Sequence, residues 1–433
     1  MPPQGPDGAW AEVGDAEAAE ALAQRTVSVV VTHYEQPEQL ARTLAALGRQ
    51  TRPPDEVVVA DDGSAAVPRV PPGVRVVRQE DRGFRAAAAR NLGVRATTGD
   101  LLVLLDADTV PEPGFVAAAV RRVAVLPELV VVGRRRHAAL AGAPLDAPVE
   151  EVGPRRELSA PAWLDDGWAR SRDLRDADET SFRFVISAVV ACSRWFFDLV
   201  GGFDETFTAY GGEDWEWAHR CRLAGGVLAH EPTAVAWHDG PDAGAEPRTW
   251  APGEEDDRAL AETVAVADRV AAPVSGWRGL LRGPADLEVL LEPTLAGRGL
   301  VACVDSLLAG LPRARVVATA AQRELLGDDP RLAAEPSHAA LAGPRLALRL
   351  HRALVAEPAA WQRLARACDG SAAPPAVRLG PAEAPWAELR DLRRDRRAAR
   401  WGLDAPVARA GDAGGFRSAD EVTLAAWLGG WAT

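Results

Sequence analysis

Apolar runs broken by turn residues divide the first half of the chain into alternating strands and helices. VSVVV (27–31) is β-branched and unbroken, the pattern of a strand buried on both faces. PEQLARTLAALGRQ (37–50) switches to helical spacing, with Leu40, Leu44 and Leu47 on one face. EVVVADDGS (56–64) is a second strand and VRVVRQ (74–79) a third. FRAAAARNLGVRAT (84–97) is a helix closed at Gly99, and LLVLLDAD (101–108) is a fourth strand running into Asp106 and Asp108. This β-α-β-β-α-β order predicts an α/β fold: a mostly parallel, Rossmann-like sheet with helices on both faces.

Further along, residues 111–135 continue as a helix and the strand LVVVG. Residues 138–180 are rich in Pro, Asp and Arg and read as a loop with short helices. FRFVISAVVACS (182–193) reads as a strand. GGEDWEWAHRCRLAGG (211–226) is a helix with glycines at both ends, and VLAHEPTAVAWH (227–238) returns as a strand. The pattern sets four regions: a disordered lead-in over 1–25, a first domain over 26–257, a linker over 258–276 and a C-terminal α/β lobe over 277–433. Within that lobe, residues 287–320 repeat the strand–helix–strand order of 27–60. GPRLALRLHRALVAEPAAW (343–361) resembles GDLLVLLDADTVPEPGFV (99–116), with His351-Arg352-Ala353 opposite Asp106-Ala107-Asp108. The lobe reads either as a degenerate repeat without the paired aspartates or as a chance likeness of strand–helix–strand patterns. It is expected to pack on the first domain or to form a homodimer interface.

Composition narrows the chemistry. A length of 433 residues favours two domains, and a net charge of −13 argues against nucleic acid as a partner. All 49 basic residues are arginine, which excludes a Schiff-base or phosphate-loop lysine. Cys192, Cys221, Cys303 and Cys368 lack metal-ligand spacing and read as buried thiols. The acidic N-terminus has no apolar segment of the secretory kind, and no apolar run would span a bilayer. A cytoplasmic protein is expected, either free or peripheral at a membrane.

Open α/β sheets bind ligands beyond the carboxyl ends of their strands. Asp106 and Asp108 fall there and suit a hard divalent cation carrying a phosphorylated ligand, although acids at strand ends are also common without one. Asp61 and Asp62 can accept from a base N–H or from ribose hydroxyls, or can serve a turn or helix cap. Glu213 and Asp214 open a helix after two glycines. Carboxylates there suit the helix dipole, or act as a general base on a glycine-hinged loop. His238 closes a strand as a candidate third metal ligand, although a lone histidine is usually not a ligand, and an imidazole beside carboxylates would favour Mn²⁺ over Mg²⁺. Trp215 and Trp217 either stack on a ligand ring or belong to the core, and Trp163 and Trp168 are further ligand-site candidates. Arg134-Arg135-Arg136 meets an acidic ligand or forms a solvated surface.

Taken in order, VSVVVTHYEQPEQLARTLAALGRQ, EVVVADDGS, RGFRAAAARNLGVRATTGD, LLVLLDAD, GGFDETFTAYGGEDWEWAHRCRLAGG and AVAWH resemble the family 2 glycosyltransferases of the GT-A fold. The GGFDE…GGED part also resembles chondroitin-polymerase and galactosyltransferase-like members. The resemblance covers roughly residues 26–240. It implies a metal-dependent, inverting transfer from a nucleotide diphosphate sugar, first of all a UDP-sugar, to a hydroxyl acceptor. That acceptor would be a saccharide, a lipid-linked saccharide or a natural product. It places Thr32, Tyr34 and Glu35 around the nucleotide, Asp61 and Asp62 near its base and ribose, and Arg85, Arg90 and Asn91 beside it or organising its pocket. Asp106 and Ala107 would face the nucleotide, with Asp106, Asp108 and His238 around Mn²⁺ or Mg²⁺. Asp214 would be the base and Glu213 would orient a sugar. Glu35 stands where the family often has Asn, and Ser187 where relatives often have a Gly-Asn pair. A glycosyltransferase-like scaffold without activity is the alternative, as is a sugar nucleotidylyltransferase, whose Gly-rich loop is not visible after VSVVV.

Overall fold

A computed structural model describes residues 7–208, 211–241, 257–271, 275–337, 340–341, 343–404 and 406–429. The described residues fall into two compact units, 1–222 with 226–266 and 223–225 with 267–433. Each has its own sheet.

In the first unit, the four expected strands become Val27–His33, Glu56–Asp61, Val74–Arg78 and Leu101–Asp106. They pair in parallel, with Val27–His33 between Glu56–Asp61 and Leu101–Asp106. Val29, Val30, Val31 and Leu102 to Leu105 have no exposed surface, as their unbroken apolar runs require. Helices Pro37–Leu47 and Ala86–Arg95 make the crossovers. Beyond Leu101–Asp106 the sheet continues through Val189–Ser193 (antiparallel), Leu129–Ala138 and Val227–Asp239. The short strand Thr109–Pro111 pairs with the end of Val227–Asp239 and sets Thr109 opposite His238. Chain ends carrying Asp61, Asp106 and His238 therefore come to one edge.

Three local expectations change. The lead-in is not disordered where it is described: Asp7–Glu12 is a 3₁₀ turn and Asp15–Ala23 a helix. Trp10 is buried between the guanidinium groups of Arg122 and Arg175, and Ala18 and Leu22 form a buried face; residues 1–6 lie outside the described residues. Residues 182–184 are not strand but a 3₁₀ turn, Ser181–Phe184. Backbone bonds three residues apart close the turn, from the Ser181, Arg183 and Val185 N–H groups to the Asp178, Thr180 and Phe182 carbonyls, and Trp168 Nε1 donates to the Phe184 carbonyl. The linker over 258–276 instead contains helix Asp257–Ala267, whose Val266 and Ala267 are buried.

The second unit repeats the parallel order. Leu332–Ala333, Arg315–Val317, Leu287–Leu291 and Leu346–Leu350 lie side by side in parallel, and Ala387–Asp391 follows antiparallel. Helix Gly297–Gly310 makes the first crossover and buries Leu300, Cys303 and Leu307. All four cysteines are free and buried. Burial pushes the thiols of Cys192, Cys303 and Cys368 up to about 12, and that of Cys221 well above its usual value. Among the described residues no helix is long and apolar enough to cross a membrane.

Candidate functional site

The site is built around Arg90, on the helix that follows the third strand. Its guanidinium is buried and forks between two carboxylates: Nη2 donates to Asp106 Oδ1 and Nη1 to Glu213 Oε1, both at 2.9 Å. Burial opposes its charge, yet the two acids hold it protonated and above the usual arginine range. One side chain thus joins the end of Leu101–Asp106 to the start of helix Glu213–Leu223. Gly211 and Gly212 lead into that helix with φ of 99° and 89°, a left-handed backbone that L side chains rarely adopt. That turn sets both acids in the first helical turn.

Asp214 is half-buried. Its Oδ1 accepts from the Trp215 N–H at 2.8 Å, and its Oδ2 from the Ser187 N–H at 3.4 Å. Burial and the charge of Glu213 push its carboxyl up to about 7, against the pull of Arg90 and the two N–H donors. Such a group exchanges a proton near neutral pH. Ser187, whose contact the family pattern left open, serves Asp214 through its backbone.

A second cluster joins Asp108 to His238. Their Oδ2 and Nε2 atoms are 3.6 Å apart, and Gln36 Nε2 donates to the same Oδ2 at 2.9 Å. His238 Nδ1 lies 3.2 Å from the Gly240 carbonyl. With that bond the neutral ring carries its proton on Nδ1, and Asp108 favours a second proton on Nε2. Burial alone would lower the His238 pKa, but Asp108 raises it; despite its own burial, Asp108 is held below the usual carboxylate range, chiefly by His238. The expected three-residue metal set is not found. Among the described residues no three His, Cys, Asp or Glu side chains group to hold an ion. Asp106 Oδ1 is bound to Arg90, while Asp108 and His238 face each other.

The nucleotide-pocket candidates separate. Asp61 is fully buried and all four of its acceptor positions are filled: His33 Nδ1 (2.7 Å), Ser64 Oγ (2.6 Å), Ser64 N–H (3.1 Å) and Arg78 Nε (3.0 Å). It is a framework residue rather than a free acceptor for a base. Asp62 accepts from Gln79 Nε2 at 2.5 Å and from the Arg85 N–H at 2.8 Å, which leaves lone pairs available. Its carboxyl is raised, mainly by burial. Asn91 is likewise occupied, clamping the Phe203 backbone and Glu205. Glu35 sits at φ 52° and its carboxylate caps the Ala65 N–H. Tyr34 is exposed, with its hydroxyl 3.3 Å from Asp81. Ala107 is fully buried, its carbonyl accepting from Thr43. Thr32 Oγ1 and Glu213 Oε2 are buried without a hydrogen-bond partner, on the residues that flank Asp106 by register and through Arg90.

His33 and Gln36 did not stand out in the chain. The Gln36 N–H donates to His33 Nε2 at 3.3 Å, so a continuous hydrogen-bonded run links Asp61, His33, Gln36 and Asp108. No motif spacing reveals it, because the run depends on the turn after Val27–His33. The tryptophans also divide. Trp217 is fully buried against Phe203, and Trp168 is buried and stacked on His230 at 3.9 Å, so both belong to the core. Arg134 and Arg136 pair with Asp165 and Glu157.

Residues 28–149 match the model of the glycosyl transferase family 2, and residues 179–234 that of the N-terminal domain of galactosyltransferase. The two segments contain Asp106, Asp108 and Asp214 in the expected order. Over residues 28–149 the first unit is similar to the family 2 glycosyltransferases. The hyaluronan synthase of Pasteurella multocida is 32% identical over 239 residues, 50% of this chain and 24% of the relative. A validoxylamine A glucosyltransferase of Streptomyces hygroscopicus subsp. limoneus is 35% identical over 227 residues, 46% of this chain and 48% of the relative. The chondroitin synthase of Escherichia coli is 29% identical over 266 residues, 55% of this chain and 37% of the relative. The chain therefore spans half or less of each relative's length. The glycosyltransferase domain is what they share.

Proposed function

We propose that the first unit transfers a glycosyl group, with inversion, from a nucleoside diphosphate sugar to a hydroxyl acceptor. The observation that carries this reading is the Arg90 fork, which ties the Asp106 strand end to the Glu213-Asp214 helix entrance. Asp214, with its pKa near 7, takes the proton from the acceptor hydroxyl. The acceptor oxygen bonds to the anomeric carbon as the bond from that carbon to the diphosphate oxygen breaks, and the nucleoside diphosphate leaves with the electron pair. Glu213, held by Arg90, keeps one buried oxygen free for a sugar hydroxyl. Thr32 and Asp62 turn acceptor and donor capacity toward the nucleotide.

The Asp108–His238 pair fits a divalent cation. An oxygen and a nitrogen face each other, and the histidine's other nitrogen is anchored on a carbonyl, as ligating histidines usually are. A cation bound there neutralises charge on the leaving diphosphate. Two protein donors leave coordination positions for phosphate oxygens. A mixed carboxylate–imidazole set favours Mn²⁺ over Mg²⁺, and a UDP-sugar is the first donor to try.

The test is a thermal-shift panel of UDP-, GDP- and dTDP-sugars with and without Mn²⁺, on the wild type and on Asp108→Ala. Stabilisation by one donor that requires Mn²⁺ and disappears in Asp108→Ala is expected. A protein indifferent to every donor, or a response that survives Asp108→Ala undiminished, would overturn the proposal.

A further inference from the structure

Trp163 is a large aromatic side chain that the structure leaves 43% exposed. It lies in helix Ala162–Arg170, and that helix is held firmly. Gly167 packs so closely on Phe184 that a Cβ there would come within 2.2 Å of the ring. Trp168 is buried, stacked on His230 with the rings 5° from parallel, and its indole N–H donates to the Phe184 carbonyl. Trp163 therefore projects from a rigid base. One edge meets Trp215 at 6.3 Å in a T-shaped contact, and Phe184 lies 6.4 Å away. Trp215 is the residue after Asp214, and its own N–H holds the Asp214 carboxylate. Nearby on the same helix, Asp165 pairs with Arg134 at 3.8 Å, and both are about half exposed.

A rigid, half-open indole suits a ligand that has one apolar face. A pyranose ring has that form: its axial C–H bonds make a flat apolar face while its hydroxyls point outward. The acceptor hydroxyl must approach Asp214 to lose its proton, so the rest of the acceptor extends along the residues next to it. We infer that Trp163, backed by Trp215 and Phe184, is the platform on which a pyranoside acceptor stacks. The acceptor is thus a saccharide or a glycoside whose terminal ring is a pyranose. This rests on the transfer reading above.

The experiment labels the full chain with 5-fluorotryptophan, assigns the Trp163 resonance by its loss in Trp163→Phe, and titrates methyl pyranosides and disaccharides without donor. The Trp163 resonance is expected to shift with at least one of them. In turnover with the donor found by thermal shift, Trp163→Ala should raise the acceptor KM about tenfold. It should leave hydrolysis of the donor by water within twofold, and Trp163→Phe should restore KM to within about threefold. A Trp163 resonance unmoved by every saccharide, or an unchanged acceptor KM in Trp163→Ala, overturns the inference. So does an equal loss of donor hydrolysis, which would mark a structural role. Failure of the transfer reading shows differently, as no nucleotide release from any donor by the wild type.

Discussion

The two units use one strand order for two different purposes. In the first, Val27 pairs with Leu101, and five residues on, Thr32 pairs with Asp106. In the second, Leu287 pairs with Leu346, and five residues on stand Glu292 and His351. His351 thus occupies the place of Asp106 and Ala353 that of Asp108. Where the first sheet aims acids at a shared site, the second closes an ion pair on itself: Glu292 Oε1 lies 3.2 Å from His351 Nδ1 and 3.4 Å from Arg349. Asp61 has no acidic counterpart either, since the chain after Arg315–Val317 turns into a helix capped by Thr319. The sheet alone carries no chemistry; the residues just past its strand ends do.

Substitutions can break this contrast, and the largest effect belongs to the proposed base. Asp214→Asn should lower transfer by about 10³-fold, within the range for loss of a general base, measured as nucleoside diphosphate release. His351→Ala, at the position matching Asp106, should leave the same rate within twofold. Comparable losses in both variants would mean that the second unit also turns over substrate.

Asp108→Ala should weaken Mn²⁺-dependent nucleotide binding by roughly 100-fold, the upper range for disturbing a metal site, read by calorimetry. Ala353→Asp, which returns a carboxylate to the matching place in the second unit, should create no metal binding, because the histidine partner is missing there.

The pH profile sharpens the contrast further. Asp214 acts only when ionised, so kcat/KM should fall about tenfold per pH unit below about 7. The same raised pKa bears on stability. The folded state keeps this proton after the unfolded chain has lost it, so the group's stabilising contribution is full below the ordinary aspartate range and is lost as pH rises through about 7. Asp214→Asn should flatten that part of the stability curve in urea titrations at pH 5 and 8. An acid limb near pH 4 would show instead that the Asp214 carboxyl keeps its ordinary value.

The smallest effect concerns Gln36. Gln36→Ala should weaken Mn²⁺ binding about tenfold by releasing Asp108, while binding of the metal-free nucleotide stays unchanged. Equal weakening of both would show that Gln36 touches the nucleotide instead.

Much of the first unit was legible because its strands are buried on both faces and its acids follow them directly, as with Leu101–Asp106. Asp214 stood out because paired glycines before a helix are rare without a reason. What escaped detection depended on distant partners. Nothing in the DDGS segment shows that His33, Ser64 and Arg78 saturate Asp61 while Asp62 keeps capacity to spare. The spacing around AWLDDGW could not separate Trp163 from Trp168, since the difference lies in His230 and Phe184, far along the chain. Nor does the spacing show that Arg90, recognised only as a neighbour of the pocket, binds Asp106. The N-terminal helix was missed because its acidic, alanine-rich composition hides a narrow apolar face anchored by Trp10.

The cysteines lead to a practical end. All four thiols are buried and pushed far from ionising at neutral pH, so none offers a ready nucleophile to a labelling reagent. A single cysteine introduced on an exposed face would react alone, without first stripping the native ones. With no lysine in the chain, amine reagents are equally confined to the amino terminus. The molecule therefore accepts one spectroscopic probe at a chosen point, and movement of the Gly211-Gly212 turn could be followed from a dye placed beside it.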